Sequence, residues 1–141
     1  LGDYVLFSAA ILQSDGEPGS YHTLYSYDSS ASTFEPLLIS SYPGQETNPR
    51  DLTVIGNYAY FTAKNDVDGL RYLWKTDGTQ SGTELVSSNL TFFQLDCGLN
   101  KFNCNSFISM NNKIYFWASH DDYGYELMHD QHDFTSITYE Y

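Results

Sequence analysis

The chain has 141 residues, of which 41% are apolar, so a single folded domain with its own core is expected. Its 18 Asp and Glu residues against 6 Lys and Arg residues give a formal net charge of −12, which repels nucleic-acid phosphates and anionic membrane surfaces. Apolar runs end after four or five residues, far short of the roughly 20 that cross a bilayer. We therefore expect neither nucleic-acid binding nor membrane insertion.

Short segments rich in β-branched and aromatic residues recur along the chain, separated by Ser, Thr, Gly, Asn and Asp. No apolar pattern of helical period persists for three turns. The sequence therefore predicts an all-β fold with about ten short strands, which we place at residues 4–10, 23–27, 34–39, 52–55, 58–63, 72–75, 83–86, 107–110, 113–118 and 136–141.

Two pairs of neighbouring strands are predicted to form hairpins. Gly56-Asn57 and Asn111-Asn112 each separate two strand-like segments by two residues. Gly and Asn tolerate the positive φ angles that two-residue hairpin loops require.

The two hairpins also belong to an internal repeat. Residues 52–63 align with residues 107–118, and both segments end in Tyr-Phe-x-Ala, so Phe61 and Phe116 are 55 residues apart. An earlier copy begins at residues 2–9, where Phe7 precedes Phe61 by 54 residues. A Leu-led strand follows each copy after a polar loop.

A period of roughly 50 residues with about four short strands is typical of β-propeller blades. We expect one module over residues 1–141 with antiparallel, blade-like repeats at 1–40, 41–88 and 89–141. Leu1 enters at the second strand of a blade, so the first repeat lacks its leading strand and the propeller is incomplete or open. The chain is expected to be a processed product or a piece of something longer.

The middle repeat resembles an extracellular repeat family built on Glu-Leu-Trp-x-Thr-Asp-Gly-Thr-x-x-Gly-Thr. The segment that carries the resemblance is Leu73-Trp74-Lys75-Thr76-Asp77-Gly78-Thr79-Gln80-Ser81-Gly82-Thr83-Glu84-Leu85-Val86. The upstream residues 42–72 also fit the repeat. The first repeat has Tyr25 in place of the Trp, and the third has Met128 there and loses the Gly-Thr turn.

The family resemblance implies a propeller-like scaffold in a secreted or surface protein, with no catalytic residue attached to the motif. The residues themselves also have a structural interpretation: Asp77 and Thr79 can bond the backbone of their own turn, and Gly78 and Gly82 supply positive φ. Trp74, with its counterparts in the other repeats, is expected at a packing site between blades.

The two cysteines, Cys97 and Cys104, are seven residues apart. This spacing fits neither a zinc site nor a redox dithiol, which place two residues between their cysteines. We predict a disulfide that closes a small loop, which requires an oxidising compartment. That compartment agrees with the family's extracellular or cell-surface setting.

Asn89-Leu90-Thr91 is the single Asn-x-Ser/Thr sequon of the sequence. It follows a predicted strand end, where a glycan on Asn89 would stay in solvent. Chance occurrence of the triplet is the alternative.

Acidic loops at residues 15–17, 65–69 and 120–122 raise the question of calcium. An EF-hand frame would place Lys64 and Lys75 where carboxylates are required, so that motif is excluded. Two interpretations of these loops remain: a looser cage of oxygen ligands for Ca²⁺, and solvated turns that bind no metal. His129 and His132 lack a third spaced ligand and are interpreted as a polar turn. The prediction is no bound metal and no cofactor.

Nothing in the sequence marks a catalytic site. It contains no Gly-x-Ser-x-Gly elbow or comparable signature, so we predict that the protein is not an enzyme. Aromatic side chains beside Asp and Asn can stack on sugars while the polar groups bind hydroxyls, which makes a carbohydrate-binding module the alternative function.

Propellers close with about four to eight blades, so three repeats leave sheet edges and apolar faces that must be covered or paired. We predict head-to-tail self-association into a homo-oligomer or filament, with the alternating residues Ile137, Tyr139 and Tyr141 completing a sheet in a neighbouring copy. The predicted function is a non-enzymatic, secreted or surface structural module, the subunit of an extracellular fibre. The alternatives are a carbohydrate-binding adhesin module and a fragment of a longer propeller protein.

Overall fold

The computed structural model describes residues 1–11, 21–38, 47–65, 67–88, 90–92, 107–111, 113–120, 124–131 and 138–139. These ranges contain strands and no helix, in agreement with the predicted all-β class. The strands are β1 Tyr4–Ile11, β2 Tyr21–Asp28, β3 Thr33–Pro36, β4 Arg50–Ile55, β5 Tyr58–Lys64, β6 Arg71–Thr76, β7 Glu84–Ser87, β8 Leu90–Thr91, β9 Phe107–Met110, β10 Lys113–His120, β11 Gly124–Gln131 and β12 Thr138–Tyr139.

The strands form three antiparallel sheets, none of which closes on itself. Sheet 1 has the order β1-β2-β3, and sheet 2 has the order β4-β5-β6-β7. In sheet 3, β12, β11 and β10 are neighbours in that order, and β9 and β8 both pair with β10. Each sheet draws its strands from one of the three predicted repeats, and sheet 1 has three described strands where sheet 2 has four.

Both predicted hairpins are present. Ile55 pairs with Tyr58 across one turn, and Met110 pairs with Lys113 across the other. The first turn residue has a positive φ in each case, 60° at Gly56 and 52° at Asn111. The sequence therefore located these turns correctly because their conformation favours Gly and Asn.

One predicted strand ends earlier than expected. β3 stops at Pro36, whereas the sequence indicated a strand as far as residue 39. Leu37 still donates its backbone N–H to the Leu24 carbonyl at 2.8 Å, but the Leu38 carbonyl accepts from the Thr23 hydroxyl at 2.6 Å. Both leucines are buried, so their apolar character reflects core packing outside the strand ladder.

The three sheets share one register. Phe7 pairs with Tyr25 in sheet 1, as Phe61 pairs with Trp74 in sheet 2 and Phe116 with Met128 in sheet 3. On the far side of the same central strand, the residues opposite Tyr25, Trp74 and Met128 are again equivalent: Pro36, Leu85 and Tyr139. The repeat seen in the sequence is therefore a repeat of backbone pairing as well.

Each sheet has two faces, which we name by their side chains. The phenylalanine face carries Phe7, Phe61 or Phe116, and the leucine face carries Leu24, Leu73 or Leu127. Since side chains alternate along a strand, and since Leu24 and Leu73 each lie one residue before the Phe partner, the two sets point to opposite sides.

The phenylalanine face of each later sheet packs on the leucine face of the sheet before it. Between sheets 1 and 2, Leu6 and Leu24 lie in one cluster with Phe61 and Trp74. Between sheets 2 and 3, a second cluster joins the leucine face of sheet 2 to the phenylalanine face of sheet 3, with the members Ile55, Tyr60, Leu73, Val86, Leu90, Phe92, Phe107, Ile114, Phe116, Ala118 and Met128. Full burial of one such side chain contributes about 1.5–3 kcal/mol, so these contacts hold the three sheets together.

Candidate functional site

The phenylalanine face of sheet 1 points away from sheet 2 and carries an aromatic surface. Register places Val5 opposite Tyr27 and Phe7 opposite Tyr25, and Phe34 of β3 lies opposite Tyr27. Val5 is 58% exposed and Phe34 is 67% exposed. We call these five residues the outer aromatic patch, and none of them is charged.

Ring contacts join the aromatic members of the patch. Phe7 stacks on Tyr25 with ring centroids 5.9 Å apart, and it meets Phe34 edge to face at 6.0 Å. Tyr27 lies 4.8 Å from Phe34 in a tilted arrangement. Such pairs stabilise one another by about 0.5–1.5 kcal/mol beyond area burial, so the rings of the patch support one another.

The burial of equivalent residues shows what is unusual about this surface. Phe61 and Phe116 occupy the position of Phe7 in the other two sheets and are 0% and 1% exposed, whereas Phe7 is only half-buried. Trp74 and Met128 belong to the clusters between sheets, as the sequence predicted, but Tyr25 lies on the outer patch. Within the described residues Tyr25 therefore stacks on Phe7 of its own sheet, and its predicted place between repeats stays a prediction.

A second apolar surface lies at the other end of the stack, on the leucine face of sheet 3. Ile108 pairs with Tyr115, and Met110 and Trp117 share their side of the sheet. Ile108 is 63% exposed, Met110 is 53% exposed and Trp117 is 55% exposed. We call this surface the outer leucine face, and it includes the half-buried Leu127.

The Asp-Gly-Thr turn of the middle repeat is closed by its own side chains. Asp77 Oδ1 accepts the backbone N–H of Thr79 at 2.9 Å and the Thr79 hydroxyl at 2.7 Å. Thr79 Oγ1 in turn accepts the N–H of Gly82 at 3.0 Å. These bonds confirm the predicted roles of Asp77 and Thr79 in closing the turn.

The two glycines of this turn are required for different reasons. Gly78 has φ 103°, a conformation that side chains disfavour. Gly82 does not have a positive φ, so that part of the prediction is wrong. A side chain at residue 82 would instead collide with the Asp77 carboxylate.

The first repeat closes its turn in the same way. Asp28 Oδ1 accepts the Ser30 hydroxyl at 2.6 Å and the Ser30 N–H at 2.8 Å, as Asp77 does from Thr79. The Ser30 hydroxyl, followed by the N–H groups of Ala31 and Ser30, lowers the pKa of the Asp28 carboxyl below its usual 3.8. The first and middle repeats therefore each close this turn with an Asp, although the other residues of the two turns differ.

The acidic loop of the middle repeat also uses its oxygens internally. Asn65 Oδ1 accepts the Val67 N–H at 3.0 Å, and Asp68 Oδ1 accepts the Leu70 N–H at 2.8 Å. Asp68 Oδ2 accepts the Tyr72 hydroxyl at 2.8 Å. No group of three His, Cys, Asp or Glu side chains that could hold a metal occurs in the described ranges, and the rest of the acidic loops lies outside them.

His129 occupies a different place from the one predicted. It lies inside β11, where it pairs with Thr138, and it is 6% exposed with its ring 5.3 Å from that of Tyr115. The interpretation as a polar turn is therefore wrong for His129, because the preceding Leu127 and Met128 continue the strand. His132 lies outside the described residues.

Six residues are predicted to form the disulfide, carry the glycan or take part in assembly. Cys97, Cys104, Asn89, Ile137 and Tyr141 lie outside the described residues. Tyr139 belongs to β12, whose two residues pair with Met128 and His129 of the same chain.

The outer aromatic patch is the feature that the sequence analysis missed. Its signal was present, because Val5 and Phe7, and likewise Tyr25 and Tyr27, are spaced by two and so share one face of a strand. The alignment of Phe7 with Phe61 assigns Phe7 to the repeat. Which of the equivalent Phe residues lies at the end of the stack depends on the order of the sheets, which the sequence does not give.

The chain matches no known family model, no curated protein and no solved structure. In the described part of the chain no helix is long and apolar enough to span a bilayer. The function is therefore inferred from the chain's own sequence and geometry.

Proposed function

We propose that this chain is a non-enzymatic structural module, secreted or displayed at a cell surface, that self-associates as the subunit of an extracellular fibre. The observation that carries the proposal is the exposure of the outer aromatic patch. Soluble monomers keep contiguous apolar surface small, and larger patches mark interaction sites. Phe34 and Val5 are more than half exposed on a face whose counterparts in sheets 2 and 3 are buried.

A blade-like arrangement of the three sheets is part of this proposal. Three antiparallel sheets of one register, each packed on the next through a repeated pair of faces, are what an incomplete or open propeller would contain. The resemblance of residues 73–86 to an extracellular repeat family supports the same architecture and the same setting.

The proposed extracellular setting assigns roles to three residues outside the described ranges. Cys97 and Cys104 would form a disulfide, which an oxidising compartment preserves. Asn89, in the segment between β7 and β8, would carry a glycan.

The segment 134–141 is proposed to contribute to association by strand exchange. Among the described residues of this segment, Thr138 and Tyr139 pair with His129 and Met128 of β11. The same segment of a neighbouring copy, with Ile137, Tyr139 and Tyr141 alternating along it, would take that place on β11.

The alternative function, a carbohydrate-binding adhesin module, is favoured by the same aromatic rings. Sugars stack on exposed aromatic faces, and the Phe7 ring contacts the rings of both Tyr25 and Phe34. A monomeric chain whose binding to a glycan array is abolished by Tyr25→Ala would support this alternative and contradict the fibre.

The experiment that tests the proposal is electron microscopy of the purified full chain, combined with sedimentation velocity over a range of concentrations. Filaments, with a sedimentation coefficient that rises with concentration, are the expected result. A chain that stays monomeric at every concentration would overturn self-association.

A further inference from the structure

We infer that the outer aromatic patch of one copy docks on the outer leucine face of a second copy, repeating between copies the contact that joins the sheets within the chain. This inference rests on the proposed self-association and identifies its surfaces. It differs from strand exchange because it uses sheet faces and not a sheet edge.

The chain itself shows what covers a phenylalanine face. In sheets 2 and 3, Phe61 and Phe116 are fully buried against the leucine face of the preceding sheet. Phe7 has the same register as these residues but has no described sheet in front of it. The surface that fits it by repetition of the internal contact is therefore another leucine face.

The chain also presents a leucine face that no described sheet covers. Leu24 and Leu73 are 2% and 0% exposed beneath the following sheet, whereas the equivalent Leu127 is only half-buried. Beside it, Ile108 and Trp117 are both more than half exposed. Among the described sheets none follows sheet 3. One end of the stack therefore exposes a phenylalanine face, and the other end exposes a leucine face.

Charge is compatible with contact at these two faces, although the outer leucine face also carries Lys113, opposite Met110. The five side chains of the outer aromatic patch are uncharged, so the patch itself brings none of the acidic groups behind the net charge of −12 into the contact. Charged residues are depleted at the centres of protein interfaces and tolerated at their rims. The carboxylates would remain at the periphery, where solvent screens their mutual repulsion.

A contact between two different surfaces is heterologous, and it either closes into a ring or continues as a filament. Two copies would bring together six sheets, within the range of about four to eight found in closed propellers. A continuing stack gives the proposed fibre. Both products require the same pair of surfaces.

The test uses charged substitutions at exposed positions, so that the fold is not disturbed. Phe34→Glu alters the patch, and Ile108→Glu alters the outer leucine face. Val67→Glu is the matched control, because Val67 is 82% exposed in the loop between β5 and β6 and belongs to neither surface. Circular dichroism checks that all three variants keep the wild-type β signal.

Sedimentation velocity should show that Phe34→Glu and Ile108→Glu each weaken association by about tenfold or more, as loss of a central interface residue does. Val67→Glu should associate like the wild type. A mixture of the Phe34→Glu and Ile108→Glu chains should form one-to-one dimers, because each retains the surface that the other needs. An Ile108→Glu chain that still dimerises alone would indicate contact between two patches and overturn the inference.

The outcomes separate the inference from the proposed function. If the wild type forms filaments and Phe34→Glu leaves them unchanged, the inference is overturned and the fibre stands. If the wild type forms discrete two-copy particles that Phe34→Glu and Ile108→Glu both dissociate, the contact is supported and the fibre is overturned. A monomeric wild type overturns both, and glycan binding lost in Phe34→Glu would then assign the patch to sugar.

Discussion

A Cβ atom on residue 78 would lie 2.6 Å from the Cγ and Cδ2 atoms of Tyr4, so the Tyr4 ring occupies the space that a side chain at Gly78 would need. Tyr4 begins β1 of sheet 1, and Gly78 lies in the turn between β6 and β7 of sheet 2. The Asp-Gly-Thr turn therefore contributes to the contact between two repeats as well as to its own closure.

Replacing Gly78 by Ala should lower the free energy of unfolding by more than the backbone strain alone. A side chain at φ 103° is strained, which costs about 1–3 kcal/mol. The contact with Tyr4 adds an overpacking cost of about 1–3 kcal/mol. Urea unfolding of Gly78→Ala beside the wild type measures the sum.

Gly2→Ala is the matched control for Gly78→Ala. Gly2 has φ 56°, but no atom lies within 4 Å of the position of its Cβ. This variant should therefore carry only the milder strain of the left-handed helical region, without the contact, and lose less stability than Gly78→Ala. An equal loss of unfolding free energy in the two variants would show that the Tyr4 contact does not affect stability.

Replacing Gly82 by Ala should destabilise the chain through Asp77. The new methyl group would displace the Asp77 carboxylate from its bonds to Thr79, at a cost of about 1–3 kcal/mol. The loss should shrink in an Asp77→Ala background, because the carboxylate that the methyl group would displace is then absent. Urea unfolding of the single and double variants measures this coupling, with Gln80→Ala as control because the Gln80 side chain is exposed.

The repeat and its hairpins could be predicted from the sequence because they depend on local chemistry. Gly56 and Asn111 mark turns by their tolerance of positive φ, and Tyr-Phe-x-Ala marks the strand that follows. The requirement for Gly82 could not be predicted, because it comes from the position that the Asp77 side chain takes in the folded turn. β8 was missed because two residues carry no periodicity.

The candidate surface was hidden from sequence analysis for a different reason. Positions 7 and 61 both hold Phe. They differ because a neighbouring sheet covers Phe61, whereas no described sheet covers Phe7. Whether a neighbouring sheet covers a residue depends on the order of the sheets in space. Within the described residues the stack begins at sheet 1, and this alone separates a core position from a surface one.

The Asp28 carboxyl should titrate below its ordinary value in the folded protein. Three hydrogen bonds from Ser30 and Ala31 favour its ionised form and lower its pKa below 3.8. The stabilisation linked to this shift is present above pH 3.8 and is lost as the pH falls through the folded pKa. NMR titration of the Asp28 carboxyl carbon measures the pKa directly.

Ser30→Ala tests the assigned cause of the Asp28 shift. The Ser30 hydroxyl is the largest contributor, and its removal should raise the pKa of Asp28 toward 3.8. Thr33→Ala changes another hydroxyl just past this turn, which is not among the causes of the shift, and should leave the pKa unchanged. A Ser30→Ala chain with an unaltered Asp28 pKa would contradict the assignment.

Deletion of residues 134–141 tests whether the carboxyl-terminal segment takes part in association. If strand exchange onto β11 joins neighbouring copies, light scattering should show a smaller assembly for the shortened chain. Thr138→Pro is the companion variant, since proline removes a backbone donor while the rest of the segment is kept. An assembly state that neither change alters would exclude this segment from the interface.

Association should strengthen as ionic strength rises. Each copy carries a formal net charge of −12, so copies repel one another, while the two proposed docking faces expose large apolar side chains that salt does not screen. The Debye length falls from about 30 Å at 0.01 M salt to about 10 Å at 0.1 M and about 3 Å at 1 M. Sedimentation velocity across this range should show a falling dissociation constant for the wild type, and Ile108→Glu should stay the weaker associator throughout. Assemblies that dissolve in moderate salt would indicate contacts made by ion pairs and would contradict an apolar interface.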